Sequence, residues 1–87
     1  MDDIQKKVLS IIREIAPLAR KIADAEFLAS NFLDDGTVDS LQIVEMITTL
    51  ESRFEIKFLP SHLESEKFRT PAGICDVVKK RLGDFHA

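Results

Sequence analysis

The 87-residue chain has no tryptophan and no tyrosine, so six phenylalanines are its only aromatic side chains. Its single cysteine, Cys75, excludes an internal disulfide. Nothing staples the fold, which suits a reducing compartment. The three glycines (Gly36, Gly73, Gly83) are isolated, which rules out a glycine-rich phosphate loop. Two histidines, His62 and His86, with no His-x-x-x-His or Cys-x-x-Cys spacing, leave nothing resembling a zinc constellation. Asp34 and Asp35 look like a fragment of a calcium loop whose other ligand positions are missing, and read as loop solvation. No G-x-S-x-G elbow is present, and His86 stands at a terminus where chains fray, so a serine hydrolase lacks its parts. No apolar run approaches the length of a membrane span, and the N-terminus has no basic-then-apolar signal pattern. The expectation is a cytoplasmic protein without metal, membrane insertion or catalytic site.

What is present is a globular composition, 45% apolar and 31% charged, in a chain long enough for one small domain spanning 1–87. The net charge of -3 is unevenly placed. Residues 1–29 balance to zero, residues 30–66 hold eight acids against two bases, and residues 67–87 hold five bases against two acids. An acidic middle repels nucleic acid and attracts a partner with a basic patch, although a solvated helix face has to be charged in any case.

Apolar spacing predicts the elements. Ile4, Val8, Ile11, Ile12 and Ile15 mark a first helix over about 3–16, ended by Pro17. Residues 24–38 read mostly as a loop anchored by Phe27, Leu28, Phe32 and Leu33. A second helix runs from Ser40 to Phe54, with Asp39 as N-cap and Gln42 completing a capping-box pair. Ile43, Ile47, Leu50 and Phe54 form its core stripe, Leu41, Val44 and Thr48 lie on an adjacent face, and Glu45 and Glu51 point toward solvent. Pro60-Ser61 starts a brief third helix through Leu63, with His62 a candidate for pH response. Thr70-Pro71 opens a last helix that Gly83 stops, with Cys75 packed in it. No strand pattern appears, and the sum is an all-α, small four-helix bundle of three longer helices and one short one.

Asp39-Ser40-Leu41 carries the functional question. Ser40 falls on the first turn of the second helix, at the positive end of its dipole, where a phosphate is favoured by ~0.3–1 kcal/mol. Two readings are open on these residues alone: Asp39-Ser40 is only a helix cap, or Ser40 is a site of modification.

The run Asp34-Asp35-Gly36-Thr37-Val38-Asp39-Ser40-Leu41, followed by Ile43-Val44-Glu45-Met46 and Leu50-Glu51-Ser52-Arg53-Phe54-Glu55-Ile56, resembles the acyl carrier protein family. The likeness continues through Thr70-Pro71 and Ile74 and covers nearly the whole chain. It implies that Ser40 bears 4′-phosphopantetheine, installed by a phosphopantetheinyl transferase, and that acyl or aminoacyl groups ride as thioesters on the arm's thiol. It implies further that Asp39 caps the helix beside the attachment point. Leu41 and Val44 would make the apolar partner contact, with ordinary core packing the alternative for both. Glu45 and Glu51 would meet basic patches on an activating ligase and on acyl-processing enzymes, the carrier itself being a monomer and not an enzyme. The sequence departs from the common fatty-acid pattern at Gln42, Thr48, Ser52 and Arg53. The spacing of Gly36 to Asp39, with Phe68-Arg69-Thr70-Pro71, is closer to D-alanyl and other specialised carriers. The competing class is a helical protein–protein interaction module in which Ser40 is only a cap.

Overall fold

Helix α1 (Asp3–Ile15) begins where Asp2 caps it: the Asp2 carboxylate accepts the Gln5 N–H at 2.8 Å, and the Gln5 side chain accepts the Asp2 N–H at 3.1 Å. The computed structural model that shows this describes residues 1–86, with side chains through residue 83, so the His86 imidazole weighed above lies outside the described residues. Val8, Leu9, Ile11 and Ile12 are buried, as their spacing predicts. Pro17 pushes Ala16 into extended backbone (φ -114°, ψ 95°) and ends the helix.

The chain then turns back along α1 in a 3-10 turn (Pro17–Lys21), where Arg20 Nε donates to the Arg13 carbonyl at 2.8 Å. Arg13 fastens the return. Its guanidinium bonds Asp24 at 2.6 Å, the Ile22 carbonyl at 2.8 Å and the Ala19 carbonyl at 3.3 Å, and lies 5.7 Å from the centre of the Phe27 ring.

Residues 24–38 are not the plain loop expected. They contain helix α2 (Asp24–Ala29), too short to show a period and lacking a side-chain cap. Tertiary burial makes it: Phe27 and Phe32 are fully buried and meet edge-to-face at 6.3 Å. Leu28 packs partly against this core, whereas Leu33 is exposed and is not an anchor.

Helix α3 (Ser40–Phe54) has the expected bounds. Leu50 and Phe54 are buried and Ile43 and Ile47 partly so, but Met46 is buried more completely than either isoleucine. Met46 lies three residues after Ile43 and four before Leu50, so it belongs to the same stripe. The helix ends at Glu55, whose φ of 54° and ψ of 48° are left-handed, and Ile56 N–H bonds back to the Glu51 carbonyl at 3.1 Å. That reversal buries Phe54 and Ile56 on either side of an exposed Glu55.

Helix α4 (Pro60–Leu63) and a second 3-10 turn (Glu66–Arg69) follow. Phe58 and Phe68 close on each other edge-to-face at 5.0 Å. His62 Nδ1 accepts the Leu59 N–H at 3.0 Å, so its role here is to start α4. Helix α5 (Pro71–His86) is capped as expected, with Thr70 Oγ1 accepting the Gly73 N–H at 3.0 Å. A Cβ on Gly73 would lie 2.0 Å from the Lys67 carbonyl oxygen, so only glycine admits this approach of the turn to the helix. Gly83 does not stop α5, which continues to His86, because Gly83 does not take the positive φ that would end it.

The long helices α1, α3 and α5 therefore agree with expectation, and the short ones number two rather than one. Among the described residues there is no strand, and no helix is long and apolar enough to cross a membrane. Helices α1 and α3 run in opposite senses. Gln42 Nε2 donates to the Ile15 carbonyl at 3.4 Å where α1 ends and α3 begins, while Lys7 and Ile11 border a cleft with Arg53 and Phe54 at the other end. Arg81 Nε donates to the Lys57 carbonyl at 2.7 Å, which sets this part of α5 beside the segment leaving α3. Lys79 on α5 pairs with Asp2.

A left-handed residue with a side chain costs about 1 kcal/mol, partly offset by the greater freedom of glycine in the unfolded chain. Glu55→Gly is therefore expected to raise stability by about 0.5–1 kcal/mol in urea unfolding; an unchanged or lower midpoint would show that the Glu55 side chain compensates its own strain.

Candidate functional site

The loop that delivers Ser40 is set by short hydrogen bonds. Asn31 and Asp34 bond each other, side chain to side chain at 2.9 Å and side chain to backbone at 3.3 Å. Asp35, expected only to solvate the loop, instead accepts both the Thr37 N–H at 2.9 Å and the Thr37 hydroxyl at 2.6 Å. Gly36 between them has φ 80°, the region where a Cβ is strained. Val38 is then buried, its N–H donating to the Phe32 carbonyl at 3.1 Å, which leaves Asp39 and Ser40 at the surface. The Asp-Gly-Thr sequence was the available signal for this turn.

Asp39 caps α3 reciprocally with Gln42. Its carboxylate accepts the Gln42 N–H at 2.8 Å, and Gln42 Oε1 accepts the Asp39 N–H at 3.0 Å. Capping therefore belongs to Asp39 and Gln42. Ser40 is exposed on the first turn, and among the described residues its hydroxyl makes no hydrogen bond. With the Asp39 and Gln42 N–H groups taken, the first turn still offers those of Ser40 and Leu41 to an anion. An exposed hydroxyl beside unpaired donors fits a phosphodiester.

The other candidates fall at different depths. Leu41 is 76% exposed and Val44 61%, so core packing does not account for either. Thr48 follows on the same face, its hydroxyl donating to the Val44 carbonyl at 3.0 Å, which leaves its methyl as the group presented. Glu45 is exposed. Glu51 differs from expectation: it is half-buried, and its Oε2 accepts the Phe58 N–H at 2.9 Å, tying the α3 exit to the following segment. Cys75 is 1% exposed, and burial pushes its thiol up to about 11. Among the described residues no three His, Cys, Asp or Glu side chains converge as a metal site.

Comparison with known proteins agrees with this geometry. The family described as "Phosphopantetheine attachment site" matches residues 6–78. A D-alanyl carrier protein of Abiotrophia defectiva is 33% identical over 79 residues, covering 91% of this chain and 96% of its own. An acyl carrier protein of Borrelia garinii subsp. bavariensis is 38% identical over 82 residues, covering 94% and 96%. No solved structure matches. Fold, exposed serine turn and family match together define a carrier of a phosphopantetheine arm. The chain belongs to the acyl carrier protein family. It is not an enzyme, and its cofactor is covalent 4′-phosphopantetheine. Carriers of this kind work with a phosphopantetheinyl transferase and with acyl-processing or ligase partners.

Two measurements follow. Asp39→Ala removes a side-chain cap and is expected to cost about 1 kcal/mol in chemical unfolding, whereas Ser40→Ala, which removes no cap bond, should cost less than about 0.5 kcal/mol. Equal losses would return the cap to Ser40. The thiol of Cys75 should not react with a disulfide reagent at pH 8 in the native protein without its arm, and should react once unfolded. The arm-bearing protein should then show one native thiol, the arm's own; rapid native labelling of the armless form would contradict the burial of Cys75.

Proposed function

We propose that Ser40 is the attachment point of the arm and that the protein presents acyl thioesters, aminoacyl ones included, to partner enzymes. The observation carrying this reading is the division of roles at the start of α3: Asp39 and Gln42 hold each other, and the Ser40 hydroxyl is left exposed beside them. In the transfer, Ser40 Oγ forms a bond to the phosphorus that carries the pantetheine in coenzyme A. The pyrophosphate P–O bond breaks, adenosine bisphosphate leaves, and the hydroxyl proton passes to a base of the transferase. The carrier supplies the nucleophilic oxygen and two first-turn N–H donors; the arm, once attached, supplies the thiol that holds the cargo.

Leu41 and Val44 form the apolar contact that partners read, and Glu45 is the acid best placed to meet a basic patch. Glu51 contributes through its second carboxylate oxygen, since the first is engaged by Phe58. The domain acts as a monomer in the cytoplasm; for the compartment, the support is a single buried cysteine that leaves no disulfide to form. The D-alanyl reading of the cargo is supported by the relative in Abiotrophia defectiva and by the Gly36 spacing, and the broader acyl reading by the relative in Borrelia garinii.

Incubation of the armless protein with coenzyme A and a broad-specificity transferase should add the mass of one phosphopantetheine less one water. Ser40→Ala should add nothing while keeping its helical circular dichroism. No gain in the wild type, or a gain that persists in Ser40→Ala, would sink the assignment.

A further inference from the structure

The first 3-10 turn presents Leu18 at 61% exposure, although the backbone around it is fixed. Ala19 beside it is fully buried, and the Arg13 and Arg20 hydrogen bonds hold the turn on both sides. An exposed leucine alone signifies little. Its place signifies more. Gln42 reaches the Ile15 carbonyl at 3.4 Å, so the end of α1 meets the start of α3. Leu18 follows Ile15 by three residues, and its Cα is at most about 11 Å from that of Ile15. Leu18 and Ser40 therefore share one end of the bundle. A partner burying the usual ~800 Å² covers a footprint about 30 Å across.

The charge around this end is divided. Asp39 and Glu45 on the α3 side are exposed acids, while Arg20 and Lys21 on the turn are exposed bases. A uniformly basic partner would be drawn to α3 and repelled by the turn. Of the enzymes a carrier meets, those that act on the arm's thiol can stand off by the length of the arm. The transferase has to bring its active site to Ser40 Oγ itself.

We propose that the docking surface for the phosphopantetheinyl transferase extends from α3 onto the first 3-10 turn, with Leu18 as an apolar contact and Lys21 as a cationic one. The transferase then offers a small apolar pocket and a carboxylate to the turn, besides bases to α3. This rests on the reading that Ser40 carries the arm.

The test is the initial rate of transfer from coenzyme A, followed by intact mass, for the wild type and single variants. Leu18→Ala should lower kcat/KM by about 3- to 10-fold, mainly through KM, and Leu18→Met should restore it. Lys21→Glu should lower it comparably, with the larger loss at low salt. Lys7→Glu makes the same charge change beside Phe54 at the other end of α3 and should match the wild type. Leu18 and Lys21 are exposed, so melting temperatures should be unchanged; Lys21→Glu stands as an independent probe if Leu18→Ala is destabilised. Rates for Leu18→Ala and Lys21→Glu equal to wild type overturn the proposal while leaving Ser40 as the attachment point. A wild type that takes up no phosphopantetheine, or a Ser40→Ala variant that does, overturns the underlying carrier reading instead.

Discussion

The reciprocal bond between Asp39 and Gln42 is the constraint on which the functional end of the molecule depends. It satisfies two backbone donors at the start of α3, and so relieves the neighbouring serine of the capping role its residue type so often fills. Gln42 does a second thing that a carboxylate there could not: its amide nitrogen donates to the Ile15 carbonyl. One side chain thus closes the cap and ties α3 to the end of α1. In the common fatty-acid pattern that position is acidic, so this chain gives up a surface charge and gains an internal tie.

The legibility of the sequence followed the physics of each segment. Helices α1, α3 and α5 were readable because their stripes run for several turns and begin at polar or Thr-Pro caps. Helix α2 was not, because six residues give no measurable period; burial of Phe27 against Phe32 and the Arg13 fastening decide it, and both are contacts across the chain. Gly83 misled because glycine permits a helix stop without requiring one. At the site, Asp39, Ser40 and Gln42 were legible as local chemistry. The burial of Glu51 and the bond it accepts from Phe58 were not, since they depend on the path of the chain after the left-handed turn at Glu55.

Neither cargo nor pathway is stored in the carrier's own reactive groups. The interior is sealed by phenylalanine pairs and by Met46, Leu50 and Ile74, and its only cysteine is held protonated within it. Sulfur chemistry is thereby left to the arm, and the protein is free to act as an address. In the function proposed above, that address is a face with two strongly exposed apolar side chains, Leu41 and Val44, and an acid-rich segment around it. The relatives bear both acyl and D-alanyl names.

Asp2 holds two contacts with one carboxylate: it caps α1 through Gln5 and pairs with Lys79 on α5. The bond from the Lys79 ammonium, followed by that from the Gln5 N–H, holds its carboxyl below the usual range. A depressed carboxyl contributes its stability above its unfolded value and loses it as the pH falls through the folded one. Acid therefore weakens the cap of α1 and its surface tie to α5 in a single protonation, while the buried apolar side chains of the two helices keep them packed.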